Sequence, residues 1–385
     1  MTNLKGFKRF LGIIILLVVV FNFHVKAFAQ FETVAGSAIL MEASTGQILY
    51  EKNADVPLPP ASITKVMTLL LAFEALEQEL IDWNDDVSIS EKAWRMEGSK
   101  MFLQVGDKVK LSDIITGISV VSANDGCVAL AEHLYGSENA FVKVMNQRAK
   151  ELGMTNSTFK NASGLPSDGH LMSAKDIAIL SRYIIENYPE ILELESQREF
   201  TYNDIRQFNR NPLLGVFEGA DGLKTGWTDE AGYCLVGTAK QEDIRMISVV
   251  LNTKNEQERS EASQELLTYG FRNFKIKDFI DAGEVVENLN VKNGNMPSVP
   301  LVANDDISLV IPVSREKDIE IITSLDAETV KAPVTKGEVL GKIEVVLDDK
   351  VLASSDISAS EDVSRLGFFK ILFRNIINFF KFFSK

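Results

Sequence analysis

"PPASITKVMTLLLAFEAL", residues 59–76, raises the question on which the rest of the chain turns. From Ile63 to Leu76 every position other than Thr64, Lys65, Thr68 and Glu74 is apolar, a pattern that predicts a helix. Pro59 and Pro60 forbid helix upstream, which places Ser62 at or near the N-terminus. Lys65 follows three positions later, so on a helix the two side chains face the same way. Unpaired N–H groups and the positive end of the helix dipole would stabilise an oxyanion formed near Ser62. Serine is a poor nucleophile without a base. Lysine serves as one when burial or a second cation strips its proton. On these two residues alone, a helix cap with a snorkelling lysine explains the pattern equally well.

The chain of 385 residues is long enough for two domains, and 45% hydrophobic with 24% charged residues is ordinary globular composition. Its N-terminus differs. Lys5, Lys8 and Arg9 precede an apolar run from Phe10 to Phe21 and then Ala27-Phe28-Ala29. That order predicts a signal peptide over 1–29, with Gln30 as the new N-terminus. The alternative, an uncleaved anchor, needs a span of ~20 apolar residues, longer than this run. Loss of the segment removes Lys5, Lys8, Arg9 and Lys26 and no acid, so a net charge of −14 becomes more negative still. Such a surface argues against nucleic acid as a partner. Cys127 and Cys234 lie in apolar stretches and read as buried free thiols. No spacing of Cys and His suggests a metal site, and no cofactor is implied.

Outward from the opening helix the texture is mixed. "GSAILMEASTGQILYEKN" reads as a hairpin turning at Ser44-Thr45-Gly46, followed by largely helical sequence to about Tyr188. Strand character returns after Asp221, in the runs Tyr233 to Ala239 and Ile244 to Leu251, and "QERSEASQELLTYGFRNF" closes with a helical pattern. Strands at both ends of one region predict an α+β domain over 30–276, with early and late strands in one antiparallel sheet. Near Lys277 short alternating runs take over, among them Ile307 to Val313, "DIEIITSL" and "GKIEVVLDDKVL" with a turn at Asp348-Asp349. They predict a small β-rich domain over 277–364. In the tail, 365–385, Lys370, Arg374, Asn378, Lys381 and Lys385 form a polar stripe on a helix otherwise filled by Phe, Ile and Leu. This suits a helix lying in a membrane surface; docking on the β domain is the alternative.

Two further motifs weigh in favour of chemistry. "VVSANDGCVALAEHL" puts Ser122 and Asn124 in a polar turn before an apolar helix, where an ordinary N-cap is the other reading. "DGLKTGWT" puts Lys224, Thr225 and Gly226 on a strand, the other reading being an edge with a solvated lysine. S-x-x-K, S-x-N and K-T-G in this order are the set of penicillin-binding proteins and class A β-lactamases. Ser157/Lys160, Ser314/Lys317 and Ser137/Asn139 repeat parts of the pattern without opening an apolar helix or joining a set.

With those residues on the page, the chain resembles the low-molecular-mass penicillin-binding proteins that are D-alanyl-D-alanine carboxypeptidases. "PPASITKVMT", "SANDGCVALAEH", "NASGLPSDGH", "DGLKTGWTDEAGYCLVGTA" and, more loosely, "APVTKGEVLGKI" carry the resemblance. It implies an α+β, transpeptidase-like domain, a β-rich second domain and a C-terminal amphipathic helix on the membrane. It also implies that Ser62 is acylated by the carbonyl between two D-alanines of a peptidoglycan pentapeptide, and by β-lactams. Lys65 is then the general base, Ser122 a relay to the leaving amine, and Asn124 a holder of the substrate amide. Lys224 supplies positive charge, binds substrate and helps keep Lys65 neutral, Thr225 contacts the terminal carboxylate, Gly226 completes the motif, and the N–H groups of Ser62 and Trp227 form the oxyanion hole. Arg259 matches an arginine that assists carboxylate binding in some relatives.

Other functions stay in view. A class A-like β-lactamase needs a deacylating glutamate, usually in E-x-x-L-N, which is missing between Asn124 and Lys224; "EILELES" lacks the asparagine. A Ser-His-Asp hydrolase would need His133 or His170, both expected to pack rather than react. A non-catalytic wall-binding protein would have little use for all three motifs.

Overall fold

A computed structural model describes residues 31–372. The first strand, β1 (Ser37–Glu42), is buried at all six positions, because it is covered on both faces and paired on both edges. It forms a hairpin with β2 (Ile48–Lys52), whose turn the Glu42 carboxylate closes by accepting from the backbone and hydroxyls of Ser44 and Thr45. A 3₁₀ turn (Ala61–Thr64) leads into α1 (Lys65–Glu77). This helix is buried on nearly every face and forms the axis of the helical layer.

Around it run α2 (Glu91–Trp94), α3 (Leu111–Val120), α4 (Asn124–Tyr135), α5 (Glu138–Glu151), α6 (Ala174–Asn187) and the short α7 (Ile191–Glu195). Two small hairpins interrupt them: β3 (Asp86–Ser88) with β4 (Lys108–Lys110), and β5 (Glu199–Tyr202) with β6 (Ile205–Phe208). The chain then returns to the main sheet with β7 (Ala220–Thr228), β8 (Gly232–Gln241) and β9 (Ile244–Thr253), before α8 (Glu256–Asn273). The five-stranded sheet has the order β2-β1-β9-β8-β7. Antiparallel pairing of β1 with β9 joins the first and last strands of this region, as the mixed texture predicts. The edge strand β7 lies against the 3₁₀ turn, which puts K-T-G beside Ser62.

β10 (Phe274–Ile280) follows α8 directly and opens the β-rich part, slightly ahead of the change in sequence texture at Lys277. Here β11 (Val285–Lys292), β12 (Ser298–Ala303), β13 (Ile307–Pro312), β14 (Glu320–Leu325), β15 (Thr329–Lys331), β16 (Val339–Leu347) and β17 (Lys350–Ala359) enclose a second, smaller core. The pair β10-β13 stands beside a six-stranded sheet of order β14-β16-β17-β12-β11-β15, in which only β11 and β15 run parallel. Asp348 and Asp349 turn the β16–β17 hairpin with φ of 51° and 61°, the left-handed pair a tight hairpin requires. The fold is therefore α+β with a β-rich C-terminal part.

Residues 368–372 are helical, with Phe368 and Phe369 74% and 82% exposed. The rest of the predicted tail helix and the predicted signal peptide lie outside the described residues. No helix among the described residues is long and apolar enough to cross a membrane.

Candidate active site

Lys65 is the first residue of α1 and is fully buried, 0% exposed. The snorkelling alternative is thereby removed. Its Nζ stands 2.9 Å from Ser62 Oγ, 2.7 Å from Asn124 Oδ1 and 2.6 Å from the Ser163 carbonyl oxygen. A neutral amine has two hydrogens and one lone pair. The Asn124 and Ser163 oxygens only accept, so they take both hydrogens and leave the lone pair for the Ser62 hydroxyl. Burial lowers the Lys65 pKa from 10.5 to about 7; Lys224 and Arg210 push it down further, while Cys127 and Asp125 oppose the shift. The amine is thus poised as a base near neutrality.

Ser62 sits in the 3₁₀ turn, three residues before the start of α1 and directly after Ala61, whose φ is 47°. Gly226 explains how β7 comes so close to this turn. A Cβ at that position would lie 2.8 Å from the Pro60 carbonyl oxygen and 3.2 Å from Ser62 N, so only glycine admits the approach. Gly164 does the same from the other side, where a Cβ would meet the Ala61 carbonyl at 1.8 Å.

Ser122 and Asn124 do not cap α4: its N-cap is Ala123, without a side-chain bond. The Ser122 hydroxyl is buried and has no hydrogen-bond partner, on a residue with φ of 62°. Asn124 Nδ2 donates to the Glu97 carbonyl while its Oδ1 receives from Lys65, so it orients the amine as well as lining the cavity. Lys224, although on an edge strand, is 3% exposed; burial lowers its pKa, opposed chiefly by Glu195.

Ser62, Ser122, Asn124, Thr225, Gly226, Trp227 and Arg259 line one cavity of about 610 Å³. Arg259 is buried there with Nε unpaired, its guanidinium 5.7 Å from the Tyr233 ring centroid. All nine residues singled out in the sequence converge on this place: seven in the lining, with Lys65 behind Ser62 and Lys224 behind Thr225.

Sequence reasoning missed three contributors. The Ser163 carbonyl carries no side-chain signal. Arg210 lies among other polar residues in "NRNP", yet it lines the cavity and donates to Ser99 Oγ. Asp125 accepts from Met101 N and Leu103 N, tying the loop before β4 to the start of α4. Of the residues expected to pack, His170 and both cysteines do so, while His133 is half-buried with Nε2 3.7 Å from Asp85 Oδ2. His170 Nδ1 accepts from Lys160 N, so Nε2 carries the hydrogen and donates to Thr64 Oγ1. Its pKa falls to about 4, chiefly through burial, which keeps it neutral. Cys127 and Cys234 are free and buried. No group of three metal-ligating side chains occurs among the described residues.

A buried lysine amine against a serine hydroxyl at a helix start, with a second serine and a lysine-bearing strand on an α+β scaffold, is an arrangement suited to serine acyl transfer. The chain belongs to the D-alanyl-D-alanine carboxypeptidase peptidase family, whose profile matches residues 24–255, and residues 274–365 match the profile described as penicillin-binding protein 5, C-terminal domain. It is 35% identical to the D-alanyl-D-alanine carboxypeptidase DacF of Bacillus subtilis, over 97% of this chain and 100% of that one. The solved penicillin-binding protein 5 of Haemophilus influenzae aligns with a TM-score of 0.76 at 37% identity, covering 87% and 99% of the two chains. Penicillin-binding protein D2 of Listeria monocytogenes, solved with ampicillin bound, aligns at 0.58 and 35%, covering 63% and 98%. The enzyme is a serine-type D-Ala-D-Ala carboxypeptidase; the β-lactamase and wall-binding alternatives are not favoured.

Proposed function

We propose that Ser62 is the nucleophile of this carboxypeptidase and Lys65 its base, acting on peptidoglycan pentapeptide at the cell envelope. The observation that carries this reading is the buried Lys65 amine, whose Nζ lies 2.9 Å from Ser62 Oγ. Ser62 Oγ adds to the carbonyl between the two D-alanines as its proton passes to Lys65 Nζ. The oxyanion rests on the N–H groups of Ser62 and Trp227. The proton reaches the leaving amine through the Ser122 hydroxyl, the C–N bond breaks, and D-alanine departs. Water then attacks the ester and gives a proton to Lys65, which passes it to Ser62 Oγ as the acyl–oxygen bond breaks and the shortened peptide leaves as its carboxylate. Asn124 holds the substrate amide; Lys224, Thr225 and Arg259 receive the terminal carboxylate. β-Lactams open on Ser62 by the same attack.

In this reading residues 1–29 leave on export, 30–276 catalyse, 277–364 form the β-rich domain, and 365–385 hold the enzyme to the outer face of the cytoplasmic membrane. The exposed Phe368 and Phe369 support the last point. Incubation with labelled penicillin, followed by peptide mapping, is expected to place the label on Ser62 alone. A label elsewhere, or undiminished turnover by Ser62→Ala, would reject the assignment. Deletion of residues 366–385 is expected to release soluble, active enzyme with Gln30 at its N-terminus; continued membrane attachment would contradict the anchor.

A further inference from the structure

The stretch "NASGLPSDGH", residues 161–170, lies between α5 and α6. Ser163, Gly164, Leu165 and Pro166 line the cavity, and Asn161 is outside the lining. Asn161 nevertheless folds the stretch around its own amide. Its Oδ1 accepts from Gly164 N at 2.7 Å and from Ser163 N at 3.2 Å, and its Nδ2 donates to the Leu165 carbonyl at 2.9 Å. Ala162 is tied on both sides: its N–H donates to Glu138 Oε1 at 3.0 Å, and its carbonyl accepts from the Thr68 hydroxyl of α1 at 2.6 Å. Next to it stands the Ser163 carbonyl, which accepts from Lys65 Nζ at 2.6 Å. That carbonyl and the Gly164 N–H belong to one trans peptide unit, so they point in opposite directions. Holding the N–H on Asn161 therefore holds the oxygen on Lys65. Something must choose this orientation. A glycine in the second place lets a peptide sit either way up, which is the difference between turns of type I and type II, and Gly164 has φ of 85°.

We propose that Asn161 is a positioning residue of the acylation step: by taking the Gly164 N–H it fixes the 163–164 peptide and keeps the Ser163 carbonyl on the Lys65 amine. The inference rests on Lys65 being the base, as proposed above. With the carbonyl in place, the two hydrogens of the neutral amine go to Ser163 and Asn124, and its lone pair is left for the Ser62 hydroxyl. With the peptide turned over, one acceptor is lost and the Gly164 N–H faces the amine, competing for that lone pair. A lost acceptor and a gained donor both disfavour the ammonium. The titratable and charged groups that act on Lys65 are Asp125 and Cys127 of α4, Lys224 of β7 and Arg210, with His170 ahead of α6. Asn161 bonds instead to Ser163, Gly164 and Leu165, so changing it reads the peptide rather than a charge.

Asn161→Ala removes the latch. At saturating penicillin the acylation rate constant is expected to fall about tenfold. The concentration giving half that rate is expected to stay within about threefold, because Asn161 is outside the cavity lining. The acid limb of the acylation rate is expected to move to lower pH. Asn161→Ser offers the same N–H groups a weaker acceptor and is expected to fall between, with the rate lowered about threefold. A wild-type rate constant and pH profile in N161A would overturn the proposal, whatever happens to its Tm. So would an acid limb moved to higher pH, since that marks water reaching Lys65 through an opened loop. If N161A does not fold, N161S decides on the same readings: a slowed rate with the limb at lower pH upholds the proposal, and wild-type behaviour overturns it. Lys65→Met separates this proposal from the reading beneath it. Undiminished acylation there would reject Lys65 as the base, whereas its loss there beside a wild-type N161A would reject Asn161 alone.

Discussion

The two parts of the molecule treat buried polarity differently. In the β-rich part the buried hydroxyls are satisfied: Ser358 Oγ donates to Asn304 Oδ1 and Ser355 Oγ to the Asp356 carbonyl. In the catalytic part Ser119, Ser122, Glu195, Asn211 and Arg259 each bury a polar atom without a partner, and no such atom occurs in the β-rich part among the described residues. An unpaired buried polar group costs about 1–3 kcal/mol. A fold tolerates several only where a ligand or a proton in transit completes them. Ser122 and Arg259 mark the cavity in this way.

The sharpest way to break this contrast is at Lys65. Lys65→Met keeps the bulk and removes the base, and kcat/KM is expected to fall about 10³-fold or more. In the wild type, log kcat/KM is expected to climb as pH approaches 7 and then level off. The sign follows from a base form that exists above about 7 rather than above 10.5. A profile still climbing at pH 9 would mean that burial does not release the proton. A smaller effect is expected at Ser122. Ser122→Ala is expected to slow acylation about 10²-fold, yet to raise Tm, because it deletes an unsatisfied hydroxyl. A fall in Tm with unchanged acylation by penicillin would show an ordinary structural serine. The smallest effect on catalysis, and the largest on stability, is expected in the β-rich core. Leu301→Ala, at a fully buried position, is expected to cost about 2–5 kcal/mol in denaturant unfolding while kcat/KM stays within twofold. Loss of activity in the folded variant would join the two regions functionally.

Much of this organisation is legible in one dimension. Period and punctuation mark α1, the β8–β9 hairpin and the β16–β17 turn, because local backbone preference and burial agree there. The β5–β6 hairpin shows the opposite case. Asn203 and Asp204 take φ of 47° and 61° between "EFTY" and "IRQF", a usable turn signal in the stretch between Tyr188 and Asp221, to which the sequence reading gave no element. Glycines 164 and 226 look alike in the sequence; only their neighbours show that each admits backbone to the Ser62 turn. Arg210 was hidden for the same reason, since a charged residue in a polar stretch is ordinarily solvated.

The sequence by itself determined the residue types of the three motifs, their order, and the change from mixed to β-rich texture. Those are properties of short segments. Tertiary structure alone decided that three elements far apart in the chain bring Lys65, Asn124 and Ser163 within 3 Å, and that Lys65 and Lys224 lie in the dry. A proton affinity depends on the whole dielectric surrounding of a group, and no local pattern encodes that surrounding.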